Sequence, residues 1–232
     1  DLAGTKVGMN VADGWYLYGF FSGAGCELSM NEDNSNNCDW NSETGLAVAQ
    51  SIENITSSPA FVSVQDQDAI TMLNDGTLGA YVSGTWNTGS FEAKYGDGYA
   101  ACKLPTFDVN GTATQMGSYA GYKFVGVNSH AKNVGWSMLL AEYLTNEESQ
   151  LKMLEITGDI PAMEGLTSDN VKPLVNEVIA NGDKAAHSIN DFQSLWYANV
   201  VDEISIQYPL LAQGEITPEE FAQALTDAAQ KN

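Results

Sequence analysis

The residues of this 232-residue chain that could do chemistry are few and scattered. Gly96-Asp97-Gly98-Tyr99-Ala100-Ala101 has the glycine spacing of a dinucleotide-binding turn, but Lys103-Leu104-Pro105 follows where a helix would have to begin. No Gly-x-Ser-x-Gly elbow supplies a nucleophilic serine. His130 and His187 are the only histidines and neither sits in a His-Glu-x-x-His pair. The loop Glu32–Asp39 has the composition of a calcium loop without its register: no start aligns a glycine at position six with a glutamate at twelve. Cys26, Cys38 and Cys102 contain no Cys-x-x-Cys, which argues against a zinc ribbon or a redox pair. No metal site and no cofactor follow from the sequence. A glycosidase would need two opposed carboxylates. Thirty Asp and Glu residues make such a pair available by abundance alone, so their number is no argument for an enzyme.

The aromatic residues say more. Gly14-Trp15-Tyr16 and Gly84-Thr85-Trp86-Asn87 set large flat rings among turn-forming residues, and Trp196-Tyr197 lies close to the start of an apolar helix. A ring on flexible backbone near the surface suits the apolar face of a sugar, with amides and carboxylates for its hydroxyl rim. Phe20, Phe21 and Phe124 read instead as core.

The elements that must position these residues alternate between strand and helix. Lys6–Val11, Cys26–Met30, Leu78–Ser83, Gly98–Leu104 and Tyr122–Val127 read as strands, with Asn31–Asn37 as a hairpin loop. Ser42 caps a helix through Ile55, and Asp66 or Asp68 caps another to Leu73. Asp108–Gly117 reads as a polar linker. Helices are predicted over Asn133–Leu144, Glu147–Ile156, Val171–Ala180 and Phe192–Gln213, the last kinked or split at Pro209. Thr217-Pro218-Glu219-Glu220 opens the final helix as a capping box. The hairpin brings Cys26 and Cys38 near each other, either as a disulfide or as two thiols. Cys102 is expected to be a buried free thiol.

Charge removes whole classes of function. Nine Lys, no Arg and thirty acids give a net charge of −21, which repels nucleic acid and anionic membrane surfaces. With 44% hydrophobic and 10% aromatic residues the chain has the material for a core, and no apolar run is long enough to span a bilayer.

One longer pattern is recognisable. Leu73-Asn74-Asp75-Gly76-Thr77-Leu78 through Gly84-Thr85-Trp86 resembles a helix, glycine turn and strand ending in Gly-x-Trp. It is followed in order by Leu104-Pro105-Thr106-Phe107, Gly117 and Gly121, Val127-Asn128-Ser129, Tyr143-Leu144-Thr145 and Gly158-Asp159-Ile160-Pro161-Ala162. The set resembles extracellular solute-binding proteins of ABC importers, in the maltose-binding-like branch. The resemblance implies an α/β, periplasmic-binding-protein-like type II fold, mainly its second, C-terminal lobe, with nothing matching the family's first lobe. It implies a core segment 1–105, a crossing segment 106–159 that packs with the first lobe, and a helical segment 160–232 completing the second.

By position it assigns ligand contact to Asp13, Trp15, Tyr16, Trp86, Trp196 and Tyr197, with Trp86 and Trp196 sharing one concave surface. The function implied is capture of a sugar or oligosaccharide, in the extracellular space or periplasm, for delivery to the importer's membrane subunits. A non-sugar solute on the same fold, or a carbohydrate-active enzyme, are the alternatives. A chain with one wall of a cleft is expected to bind maltodextrin-like sugars at roughly millimolar strength, about −4 kcal/mol.

Overall fold

The computed structural model describes residues 4–33, 35–120, 124–163, 165–169, 186–188 and 195–231. The chain divides into two compact units, one of residues 1–83, 104–120 and 185–232, the other of residues 84–103 and 121–184.

The first unit is organised by three parallel strands, β1 (Lys6–Met9), β4 (Phe61–Ser63) and β5 (Leu78–Val82), in the order β4-β1-β5. Between β1 and β4 come helix α1 (Gly14–Gly23), the antiparallel pair β2 (Leu28–Met30) and β3 (Asn36–Cys38), and α2 (Glu43–Thr56). Helix α3 (Asp66–Asn74) joins β4 to β5. Ser42 caps α2 by accepting from Gly45 N. Gln65, not Asp66, stands at the start of α3, which leaves the Asp66 carboxylate for another partner.

Asp108–Gly117, expected as a linker, is mostly a hairpin of β6 (Thr106–Val109) and β7 (Thr112–Gln115). Asn110 and Gly111, at φ +52° and +80°, supply the left-handed pair that a tight two-residue turn needs. The hairpin is tied to α2 by a hydrogen bond from Ser51 Oγ to the Asp108 carbonyl. Past it, the backbone meets α1 directly: Gly117 N donates to Gly19 O at 2.8 Å, and a Cβ at Gly23 would collide with the backbone of Gln115, Met116 and Gly117.

Two long helices close the core, α7 (Leu195–Gln213) and α8 (Pro218–Ala229). Helix α7 is not split at Pro209, because Tyr208 and Leu211 on either side are both buried in the core. Helix α8 starts on the expected capping box, Thr217 with Glu220. In the core Phe21 stacks on Trp40 at 4.1 Å with planes 4° apart, and Phe20 meets Phe107 edge-on.

The second unit holds α4 (Thr88–Tyr95), α5 (Val134–Thr145) and α6 (Glu147–Thr157). Gly158 stops α6 at φ +75°, as expected. Helix α5 buries none of its residues, and Trp136 is 76% exposed. Four expectations fail in or beside this unit. Gly98–Leu104 is unpaired chain after a 3-10 turn (Gly96–Gly98), because no strand among the described residues ladders with it. Cys102 is consequently exposed rather than buried. Of the strand expected at Tyr122–Val127, residues 124–127 form none and 122–123 lie outside the described residues; the strand nearby is β8 (Ser118–Ala120), paired with β9 (Ala186–Ser188) in the first unit. Phe124 lies outside any strand and is exposed, not core. The helix expected at Val171–Ala180 lies outside the described residues.

Cys26 and Cys38 are free thiols buried in one core cluster. Burial, reinforced by Asp39 and by Cys38, pushes the Cys26 thiol up to about 12. Burial also raises Cys38, against its contacts with the Trp40 backbone and the Thr226 hydroxyl. Since the thiolate is the nucleophile, both should be inert near neutral pH. Alkylation of the native chain is expected to label Cys102 alone, and all three thiols in denaturant. A single label in denaturant would instead reveal a Cys26–Cys38 disulfide.

Candidate functional site

Parallel pairing puts the C-terminal ends of β1, β4 and β5 on one edge of the sheet. The chain leaves β1 to one neighbour, β4, and then crosses to the other, β5, so the order reverses beside β1. Ligands of open α/β sheets bind at such a point, outside the carboxyl ends of the strands. Here the chain runs from β1 through Asn10–Asp13 into α1, from β4 through Val64-Gln65 into α3, and from β5 into Ser83.

Asp13, Trp15 and Tyr16 all stand at this edge, half-buried. The flexible turn expected for Gly14-Trp15-Tyr16 is the ordered first turn of α1. Asp13 Oδ1 accepts from Trp15 N at 2.9 Å, so this carboxylate caps the helix. One of its oxygens is thereby committed to holding the rings in place.

Three further residues join them that sequence reasoning missed. Tyr81, near the end of β5, donates from its hydroxyl to Asp66 Oδ1 at 2.6 Å. The Tyr16 hydroxyl lies beside the side chains of Ser83 and Tyr81. Burial is the main cause holding the Tyr16 phenol above its ordinary range, with the Asp66 and Asp13 carboxylates acting in the same direction. Burial likewise raises Tyr81, as does its bond to Asp66. Both phenols therefore stay neutral at physiological pH and act as hydrogen-bonding groups, not as bases. Among the described residues the edge thus offers aromatic faces, hydroxyls and carboxylates. The available signal was positional: Asp66 and Ser83 adjoin the ends of predicted elements, but only parallel pairing brings those ends together.

Trp86 belongs to the second unit. It lies in a 3-10 turn, Thr85–Asn87, just before α4, and is 53% exposed. Its indole folds back over Gly84, where any Cβ would collide with the ring. Trp196 and Tyr197 fall in the first turn of α7; their side chains, and with them the expected shared surface with Trp86, lie outside the described residues. Among the described residues no group of three or more His, Cys, Asp or Glu could hold a metal ion. No helix among them is long and apolar enough to cross a membrane.

The family model described as bacterial extracellular solute-binding protein matches residues 2–177. A comparison with curated proteins returns no match. Solved structures share the fold. The maltodextrin binding protein MalE1 from L. casei BL23, without ligand, is 20% identical with a TM-score of 0.82, covering 100% of this chain and 64% of that one. The maltose/maltodextrin-binding domain MalE from Bdellovibrio bacteriovorus, bound to maltotriose, is 18% identical with a TM-score of 0.70, covering 97% and 59%. An ABC transporter solute binding protein from Thermotoga lettingae, bound with α-D-tagatose, is 19% identical with a TM-score of 0.65, covering 99% and 60%. The chain thus spans about three-fifths of the length of these structures.

Proposed function

Because this chain belongs to the bacterial extracellular solute-binding protein family, we propose that it serves to capture a sugar or oligosaccharide outside the cell or in the periplasm, for delivery to an ABC importer. The observation that carries the reading is the strand-end cluster, in which Trp15 and Tyr16 stand beside the hydroxyls of Tyr81 and Ser83 and the carboxylates of Asp13 and Asp66. Aromatic faces take the apolar side of a pyranose, and hydroxyls with carboxylates take its rim. By position in the family pattern, Trp86 and Trp196 add stacking rings and Tyr197 a hydroxyl. The ligand is bound and released unchanged, and closure of a hinge around it is what the importer reads. The maltodextrin and maltotriose named for the neighbouring structures support α-linked glucose oligomers as the first ligands to test.

The test is titration of the chain with maltose, maltotriose and non-sugar solutes such as amino acids, followed by tryptophan fluorescence and heat. A sugar-specific response is expected, at roughly millimolar strength for this chain (about −4 kcal/mol). A response to amino acids alone overturns the sugar reading. Release of shorter saccharides during incubation overturns the reading of a pure binder. Micromolar affinity overturns the view that the chain carries one wall of the cleft.

A further inference from the structure

From the uncovered face of α5 we infer that two copies of this chain associate in solution, with their α5 helices packed antiparallel about a two-fold axis. Association of this kind needs nothing from the sugar-binding reading.

Helix α5 is apolar along its length, with Glu142 its one charged residue. A helix of that kind is normally buried. Here Trp136, Leu139, Leu140, Tyr143 and Leu144 are each between 44% and 76% exposed. Their spacing, i, i+3, i+4, i+7 and i+8, sets all five on one side of the helix. Apolar residues scattered singly over a surface need no explanation, but a continuous stripe marks an interaction site. The stripe exposes roughly 700 Å², against the about 800 Å² that each partner gives to a standard interface.

Charge identifies the occupant. A chain at −21 repels its own copies wherever their acidic surfaces approach. This face is an exception: residues 124–141 contain no Asp or Glu, and Lys132 stands just ahead of α5. The acids come at the other end, with Glu147 directly after the helix as the first residue of α6. Ser149 Oγ donates to the Tyr143 carbonyl and Gln150 Nε2 to the Thr145 carbonyl, both at 2.6 Å, which holds that turn and keeps Glu147 beside the end of α5. A two-fold axis between Leu139 and Leu140 turns the asymmetry into complementarity. It sets Leu139 against Leu140 of the second copy, Trp136 against its Tyr143, and Lys132 against its Glu147. Each contact occurs twice, because a two-fold interface is self-complementary. The C-terminal end of each helix, with its partial negative charge, also faces the second copy's Lys132. A parallel pair would instead bring Lys132 to Lys132 and Glu147 to Glu147. Closure about the axis covers both stripes, so assembly stops at the dimer.

Sedimentation velocity on the whole chain, from low to high micromolar concentration, is the test. A monomer–dimer equilibrium is expected, with a dissociation constant on the order of 10 μM. Leu140→Lys puts like charges at the axis and should weaken association about 30-fold or more. Its side chain is more than half exposed, so the circular dichroism spectrum should stay that of the wild type. Trp136→Ser, which adds no charge, should weaken association about tenfold. Lys132→Glu and Glu147→Lys should each weaken it about threefold, and the two together should restore it, since every copy then presents the reversed pair. A monomer at every concentration overturns the proposal and gives the face to another occupant, such as a further lobe. Association untouched by Leu140→Lys and Trp136→Ser overturns the role of this face, and open-ended assemblies overturn the two-fold. Failure of the double exchange to restore association overturns the antiparallel register.

Discussion

Trp40→Ala is expected to destabilise the first unit by about 3–5 kcal/mol, the usual cost of emptying a large aromatic site in a core. Trp40 is fully buried, stacks on Phe21 at 4.1 Å, and has Tyr18 at 6.1 Å on a tilted plane. It sits between β3 and α2, and its backbone lies against Gly45 in the first turn of α2. The side chain therefore joins α1 to the hairpin and to the start of α2 in one contact. A small domain has about 5–15 kcal/mol in total, so this loss should move the urea midpoint far and cut soluble yield. Trp40→Phe is the informative companion. Trp40 Nε1 is buried with no hydrogen-bond partner, so phenylalanine surrenders volume but also removes a desolvated donor. Its cost should be well under that of alanine. An alanine variant that unfolds at the wild-type urea concentration would show that the stack carries no stability.

Trp86→Ala should weaken sugar binding by about 2 kcal/mol or more, roughly 30-fold, as expected for an aromatic anchor of a binding surface. Trp86→Phe should recover most of it, because stacking needs the flat face more than the indole nitrogen. Stability should barely change, since the ring is half exposed and packs locally over Gly84. Circular dichroism and a thermal melt separate the two effects. Wild-type affinity in a folded alanine variant would remove Trp86 from the site and leave the strand-end cluster to bear the ligand.

Local features of this fold were readable residue by residue. Ser42 caps α2, Thr217 and Glu220 cap α8, and Gly158 ends α6 as expected. Each of these depends on groups within about four residues, so the chain carries the whole interaction in one stretch. The family pattern was legible for a related reason: its glycines and Gly-x-Trp mark turns whose geometry is local. Readings failed where an element needs a distant partner. Tyr99-Ala100-Ala101-Cys102 has the composition of a strand and no strand to pair with among the described residues. Asp108–Gly117 has the composition of a linker, yet Phe107 and Met116 bury their side chains and hold a hairpin in place.

The candidate site divides along the same line. Sequence by itself determined that Asp13, Trp15 and Tyr16 form one local group, that Trp86 follows a glycine in a turn, and that a chain with nine Lys and no Arg would favour an uncharged ligand over an anionic one. It assigned Asp13 to the ligand; the structure adds that its Oδ1 caps α1. Only the tertiary structure decided that Asp66, Tyr81 and Ser83 stand with Tyr16. These residues follow different strands, and what joins them is the parallel register in which Met9 sits between Ser63 and Val82. The bond from the Tyr81 hydroxyl to the Asp66 carboxylate is a property of that assembled group, joining the end of one strand to the helix that follows another. No pattern of spacing encodes such a bond, because it exists only once three strands have paired and buried the hydroxyls beside one another.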